Sequence, residues 1–179
     1  PNSELKLIID ELQRENADLK TELLSDFVSP KGSIVVFSSY PFNSRSEVVI
    51  SAGREAGIEE GDIVTVGKNL LVGKVKKVFD KTSIVSTIFD PSFEAAVRVG
   101  KESVNALLKG GNELTLELIP NDAELQTGEI VFTAGTEFPY GLSIGTVRDI
   151  GSGKGGAFKV ASVTPNFEFK SLRNVNILN

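Results

Sequence analysis

The chain has 179 residues, of which 40% are hydrophobic and 24% are charged, a composition typical of an ordinary folded protein. It contains no Cys and no His, which excludes disulfides and thiolate zinc sites and removes the commonest general base and metal ligand. The formal net charge is −5, and no cluster of Lys and Arg forms the basic stripe that nucleic-acid binding requires. We therefore expect no enzyme, no cofactor, no metal and no nucleic-acid partner.

The first 26 residues carry a heptad pattern that predicts a helix over residues 1–27. No Gly or Pro lies between Pro1 and Pro30. A β-branched residue at position a with Leu at position d favours a parallel two-stranded coiled coil, and a single Asn at a fixes its register. The predicted dimer seam consists of Leu5, Ile9, Leu12, Asn16, Leu19 and Leu23. The alternative is an amphipathic helix that lies on the β body of its own chain.

The chain begins at Pro1 and contains no Met, so we expect it to be a fragment of a longer protein. No apolar run approaches the ~20 residues of a membrane span. A signal or anchor segment would therefore have to lie upstream of Pro1.

After Pro30 the hydrophobic pattern changes to a period of two, most clearly in the alternating segment Glu113–Leu118. Further β-branched or aromatic runs are separated at short intervals by Gly, Pro, Asn and Asp, and all 17 Gly fall in this part. Many short strands joined by tight turns are typical of barrels and sandwiches. The sequence thus predicts a mainly β protein, with an N-terminal coiled-coil helix followed by two small similar β-barrels.

The prediction of two barrels comes from an internal repeat. Gly61–Val64 is matched by Gly128–Val131, and Leu71–Val75 is matched by Ser143–Val147. Further matches in the same order join Glu47–Ile50 to Glu113–Leu116, and the strand before Pro91 to the strand before Pro165. We expect a first barrel over residues 28–92, with residues 166–179 as candidates for completing it, and a second barrel over residues 93–165.

The segment Phe93–Val99 is ambiguous, because its Ala content favours a helix whereas Val99 favours a strand. The repeat favours a strand, with Ile34–Phe37 as its counterpart in the first copy.

One loop breaks the second repeat by inserting aromatic residues and Pro where the first repeat has Lys68-Asn69-Leu70. Exposed aromatic residues are common in partner contacts, so this loop is a candidate partner-contact site. The alternative is that Phe138 and Tyr140 plug one end of the barrel. The loop consists of Phe138, Pro139, Tyr140, Gly141 and Leu142.

The glycine run over residues 151–156 lacks the spacing of a phosphate-binding loop, because Lys154 is followed by Gly155 and then by a strand instead of a helix. Tandem barrels also occur in chymotrypsin-like proteases, but those enzymes need a His that this chain lacks. A Ser–Lys pair, either Ser29 near Lys31 or Ser152 near Lys154, remains a formal nucleophile–base pair in a loop.

These segments together resemble the extracytoplasmic part of the MreC family of rod shape-determining proteins. The resemblance covers nearly the whole chain, and its most specific string is Phe138-Pro139-x-Gly141-Leu142-x-Ile144-Gly145-x-Val147. The supporting strings, in chain order, are Glu15-Asn16-x-x-Leu19, Ile50-x-x-Gly53-x-x-x-Gly57-Ile58-x-x-Gly61, Leu71-Val72-Gly73-Lys74-Val75, Gly128-Glu129-x-Val131-x-Thr133-x-Gly135 and Pro165 followed by Leu172 and Val175. One departure is Asn69, which stands where a Gly is expected.

The resemblance implies one upstream transmembrane helix, a dimerising coiled coil and two β-barrels on the outer face of the cytoplasmic membrane. It implies a scaffold that organises peptidoglycan synthesis during cell elongation and maintains cell shape. The implied partners are MreD, RodA, class B penicillin-binding proteins and, across the membrane, MreB. The family supplies no catalytic residues to carry over.

Two other classes of protein remain open at this point. A periplasmic adaptor of an export pump also joins a coiled coil to β domains, but it needs a second, antiparallel helix. The other class is the two-barrel, protease-like protein described above.

Overall fold

The computed structural model describes residues 34–37 and 44–178. The predicted helix over residues 1–27 and its six seam residues lie outside the described residues. The prediction of a mainly β body is confirmed, because the described part contains twelve strands and three short 3-10 helices. The strands are β1 Ile34–Phe37, β2 Glu47–Ile50, β3 Ile63–Val66, β4 Leu70–Val78, β5 Ser83–Thr87, β6 Glu94–Val99, β7 Val104–Lys109, β8 Leu114–Pro120, β9 Ile130–Thr133, β10 Ser143–Ser152, β11 Phe158–Pro165 and β12 Asn174–Leu178. The 3-10 helices are Arg54–Ala56, Lys154–Gly156 and Phe169–Ser171. No helix in this described part is long and apolar enough to cross a membrane.

Six consecutive strands form a closed barrel, here called the second ring. The strands pair in the order β6-β7-β8-β11-β10-β9, and β9 pairs back with β6. All six pairings are antiparallel, so short turns can connect most neighbours. The glycine run after Ser152 connects β10 to β11 within this ring.

The other six strands pair in the order β12-β1-β2-β5-β4-β3, and β3 pairs back with β12 to form the first ring. This order repeats that of the second ring when β12 takes the position of β6. The segment Phe93–Val99 is a strand over most of its length, as expected. The expectation that Ile34–Phe37 is its counterpart in the first ring was wrong. The counterpart of β1 is β7, and the counterpart of β6 is β12.

Each ring encloses its own hydrophobic core, because alternate side chains of every strand point inward. The core of the first ring contains Val36, Val48, Ile50, Val64, Val72, Val75, Val85 and Val175. The core of the second ring contains Val97, Val99, Leu108, Leu114, Leu116, Val131, Ile144, Val147 and Val163.

Gly73 on β4 and Gly145 on β10 occupy equivalent positions in the two repeats, and steric crowding explains why both positions hold Gly. A Cβ on Gly73 would lie 2.0 Å from the carbonyl oxygen of Ser86, and a Cβ on Gly145 would lie 2.3 Å from that of Thr164. Real Cβ atoms do not approach backbone that closely, so strands β4 and β10 can pass their neighbours only with Gly at these positions.

The acidic residue that follows the turn glycine also has the same role in both repeats. The Asp62 carboxylate accepts a hydrogen bond from the backbone N–H of Glu59 at 2.9 Å, and the Glu129 carboxylate accepts one from the N–H of Gln126 at 2.9 Å. The glycine before each acid has a positive φ that other residues rarely adopt. The repeat is therefore equivalent in its turns as well as in its strand order.

The two rings are joined by backbone and side-chain contacts. Strand β10 runs parallel to the start of β4, and the N–H of Ser143 donates to the carbonyl oxygen of Asn69 at 2.8 Å. Ile63 and Leu71, on the outside of the first ring, belong to the same buried cluster as the core of the second ring. The outer face of β3 is thus covered by the second ring.

Candidate partner-binding surface

The loop between β9 and β10 is folded tightly onto Thr133. The Thr133 hydroxyl donates to the carbonyl oxygen of Pro139 at 2.5 Å and accepts from the N–H of Leu142 at 3.0 Å. The Thr133 backbone also bonds to Gly141 and to Leu142, each at 2.9 Å. Gly141 has a φ of 87°, which allows the chain to reverse here without strain. The conformation of the loop is therefore fixed by its own hydrogen bonds.

The residues of this loop differ in their burial. Phe138 and Leu142 are buried, and the ring of Phe138 packs against that of Phe93 at 5.4 Å between centroids. Tyr140, in contrast, is 64% exposed. Phe138 therefore packs into the buried cluster of the second ring, whereas Tyr140 is presented to solvent.

Tyr140 is held in place although it is exposed. Its ring meets the edge of Phe132 at 6.1 Å between centroids. Arg98 donates to the Tyr140 hydroxyl at 3.3 Å and places its guanidinium 5.8 Å from the centre of the ring. A second bond, from Arg98 to the side-chain oxygen of Asn105, fixes that guanidinium at 3.2 Å. Such preorganisation lowers the entropy lost when a side chain enters an interface.

Neighbouring strands extend this exposed aromatic site into a continuous surface. Arg98 on β6 lies directly opposite Phe132 on β9, and Ile130 lies two residues from Phe132 on the same outer face. We call this the β9 surface, and it consists of Ala96, Arg98, Ile130, Phe132 and Tyr140.

The β9 surface is more exposed to solvent than the equivalent face of β3 in the first ring. Ile130 corresponds to Ile63 in the first ring; Ile130 is 52% exposed, whereas Ile63 is only 7% exposed. Phe132 corresponds to Thr65, which is fully buried. The face that the first ring uses to contact the second ring is therefore left uncovered on the second ring.

Hydrogen bonds shift the pKa of several described groups on the two rings. The Ser92 hydroxyl, which donates to the Asp90 carboxylate at 2.6 Å, holds the pKa of Asp90 below its usual range. Hydrogen bonding to Glu117 raises the pKa of Lys109, and hydrogen bonding to Glu113 raises that of Arg148.

Of the residues of the β9 surface, sequence reasoning singled out only Tyr140, as part of the loop. Ala96, Arg98, Ile130 and Phe132 lie on β6 and β9, outside the aromatic–Pro loop. The sequence did contain a signal for Ile130 and Phe132. The segment Ile130-Val131-Phe132 is apolar on both faces of its strand, whereas packing on the core of the ring requires only one apolar face.

Known proteins are similar to this chain in both sequence and architecture. The family model described as "Rod shape-determining protein MreC, barrel core" matches residues 36–179. The cell shape-determining protein MreC of Listeria monocytogenes is 28% identical over 190 residues, which cover 98% of this chain and 63% of that relative. The chain therefore spans less than two thirds of the length of that relative.

Solved structures agree with the family match. An MreC structure from Listeria monocytogenes has a TM-score of 0.74 at 28% identity, with 99% of this chain and 90% of that chain covered. A chain of the complex between penicillin-binding protein PBP2 and MreC from Helicobacter pylori shares the fold, with a TM-score of 0.61 at 20% identity and coverage of 82% and 97%. Since the family model matches most of the chain, the chain belongs to the MreC family of rod shape-determining proteins.

Proposed function

We propose that this chain is the extracytoplasmic part of a membrane-anchored, non-enzymatic scaffold that organises the peptidoglycan-elongation machinery and maintains cell shape. The observation that carries the proposal is the β9 surface, which presents preorganised aromatic, aliphatic and guanidinium groups to solvent. Tyr and Arg are enriched among the residues that dominate the energy of protein interfaces. The anchor itself would lie upstream of Pro1.

The partner that we propose for the β9 surface is a class B penicillin-binding protein. The solved complex from Helicobacter pylori pairs a penicillin-binding protein with an MreC that shares this fold. An exposed apolar centre beside a charged rim, as Ile130 and Tyr140 form beside Arg98, is the usual anatomy of a specific interface. MreD, RodA and MreB are further proposed partners, on the basis of the family alone.

The proposed organisation has three parts. Residues 1–27 form a parallel coiled-coil dimer through the seam of Leu5, Ile9, Leu12, Asn16, Leu19 and Leu23. Residues 28–92 together with 166–179 form one barrel domain, and residues 93–165 form the other. Leu12→Asp places a charge in the seam and should convert a dimer to a monomer without loss of the β signal in circular dichroism, as sedimentation can measure.

Copurification from membranes of the source cell tests the proposed partner. The full-length protein should recover a class B penicillin-binding protein, and the double change Ile130→Ser and Tyr140→Ser should reduce the recovery at least about tenfold. Phe79→Ser is the matched control, because Phe79 is an exposed aromatic residue on the first ring, 42% accessible. Equal recovery with all three proteins, or recovery of export-pump components alone, would contradict the proposal.

A further inference from the structure

A groove of about 660 Å³ lies beside the β9 surface on the second ring. Ile130 and Phe132 supply its apolar lining, and Glu102, Glu124 and Glu129 line it with carboxylates, with Lys101 as the basic residue. The groove therefore combines apolar contact area with an excess of negative charge.

The carboxylate of Glu129 is positioned before any ligand arrives. One of its oxygens accepts the hydrogen bond from the Gln126 N–H at 2.9 Å. The same carboxylate lies against Gly100, where a Cβ would come within 2.3 Å of the other oxygen. Gly100 has a φ of 65°, and Gly128, also in the lining, has a φ of 92°. Because Gly100 and Gly128 lack side chains, backbone atoms line this part of the groove, and the Glu129 carboxylate lies in a fixed position against them.

The charges in the groove are not neutralised within the described part of the chain. The ion pairs there involve other carboxylates, such as Glu47, Glu94, Glu113 and Glu117. Three carboxylates and one ammonium group leave the groove with two uncompensated negative charges. A partner with the opposite charge would gain both attraction and faster association, whereas an acidic partner would be repelled.

The closed rings constrain how a partner can bind. Every strand of the second ring pairs with a neighbour on each side, so no strand offers a fully open edge to which a partner could add a strand. We therefore expect binding through side chains that enter the groove.

We propose that this groove binds a cationic peptide segment of the partner, with Lys or Arg side chains at the carboxylates and an aliphatic side chain against Ile130 and Phe132. The inference rests on the proposed function, because it takes the β9 surface as the partner surface, and it adds the chemistry of the segment that is recognised. The groove would select for a segment in which basic and aliphatic residues alternate.

Nuclear magnetic resonance of the 179-residue chain with two synthetic peptides tests this inference. The first probe is acetyl-Val-Arg-Val-Arg-Val-amide, and the second carries citrulline, which has the shape of Arg without its charge, at both Arg positions. The Arg peptide should produce saturable shifts at the amides of Gly100 and Gly128. The citrulline peptide should bind at least about fivefold more weakly, and added salt should reduce that difference.

Variants then assign the two kinds of contact. Glu102→Gln and Glu124→Gln should each weaken the Arg peptide about two- to fivefold and leave the citrulline peptide unchanged. Ile130→Ser should weaken both peptides. Glu55→Gln, on the first ring, is the matched control and should change neither.

Equal affinity for the two peptides, or no shift at the two glycines, would overturn the inference. Shifts at these glycines that depend on protein concentration alone would assign the groove to a second copy of the chain and would also overturn it. If the peptide fails but copurification still depends on Tyr140, only this inference falls. If the Arg peptide binds as expected while no penicillin-binding protein is recovered, the recognition chemistry stands and the proposed partner falls.

Discussion

The repeat provides a matched pair of substitutions that tests whether the outer face of β3 is buried and that of β9 is exposed. Ile63 and Ile130 occupy equivalent positions on β3 and β9, but Ile63 is 7% exposed and Ile130 is 52% exposed. Replacing each with Ala removes the same atoms from two different environments. Ile63→Ala should lower the free energy of unfolding by about 3 kcal/mol, the usual cost of truncating a fully buried Ile. Ile130→Ala should lower it by about 1 kcal/mol, because about half of the side chain is already in water.

Urea and thermal denaturation measure these two costs. For a chain of this length, about 1 kcal/mol corresponds to ~2–4 °C in the melting temperature, so Ile63→Ala should melt ~6–12 °C lower and Ile130→Ala ~2–4 °C lower. For both variants, the melting temperature of the two rings should not depend on protein concentration.

Two results would refute this reasoning. A cost for Ile63→Ala below that of Ile130→Ala would mean that the second ring does not cover β3 as described. A large cost for Ile130→Ala that grows with protein concentration would mean that the β9 surface is already buried against another copy in solution.

Three further predictions concern the backbone, pH and ring closure. Gly145→Ala should destabilise the fold by several kcal/mol because a Cβ there overlaps backbone, whereas Gly151→Ala, with open space around the glycine, should change the urea midpoint little. Ser92→Ala should lower stability at pH 7 because it removes the hydroxyl hydrogen bond that is the largest cause of the depressed pKa of Asp90. This contribution is present above the unfolded pKa of about 4 and is lost as the pH falls through the lower folded value, so an equal deficit at pH 7 and well below pH 3 would contradict the assignment. Val175→Asp should open the first ring, because Val175 is fully buried on β12, and amide hydrogen exchange should then lose protection in β1 and β3 while β7 and β8 stay protected.

The strands and their repeat could be predicted because their signals are local. Period-two alternation and Gly-acid turns depend on residues within a few positions of one another. The matched turns at Gly61 and Gly128 form the same hydrogen bonds, which is why the sequence match there reflected a real structural equivalence.

The counterpart of β6 could not be predicted in the same way. β1 resembles β6 only in being an apolar strand near the start of each copy, whereas the pairing of β1 with β12 joins residues about 140 positions apart. The sequence named residues 166–179 only as candidates for completing the first barrel, and no local pattern encodes which strand they pair with.

The burial of Phe138 and the exposure of Tyr140 were also beyond the sequence. The two aromatic residues are separated by one Pro, and their directions are set by the hydrogen bonds of Thr133 and by the reversal at Gly141. The break in the repeat predicted that the loop was unusual but not which of its aromatic rings would face solvent.

The position of β12 between β1 and β3 has a consequence for how the protein is made. A ribosome releases the chain from its N-terminus, so β1 to β5 of the first ring emerge before the second ring, whereas β12, which closes the first ring, emerges after all the other described strands. Until then β1 and β3 each have an unpaired edge that can pair with a neighbouring chain. The second ring, whose six strands are consecutive in the sequence, can close earlier. Synthesis interrupted between β11 and β12 would therefore yield a chain with one closed ring and one open ring, whose free strand edges favour aggregation.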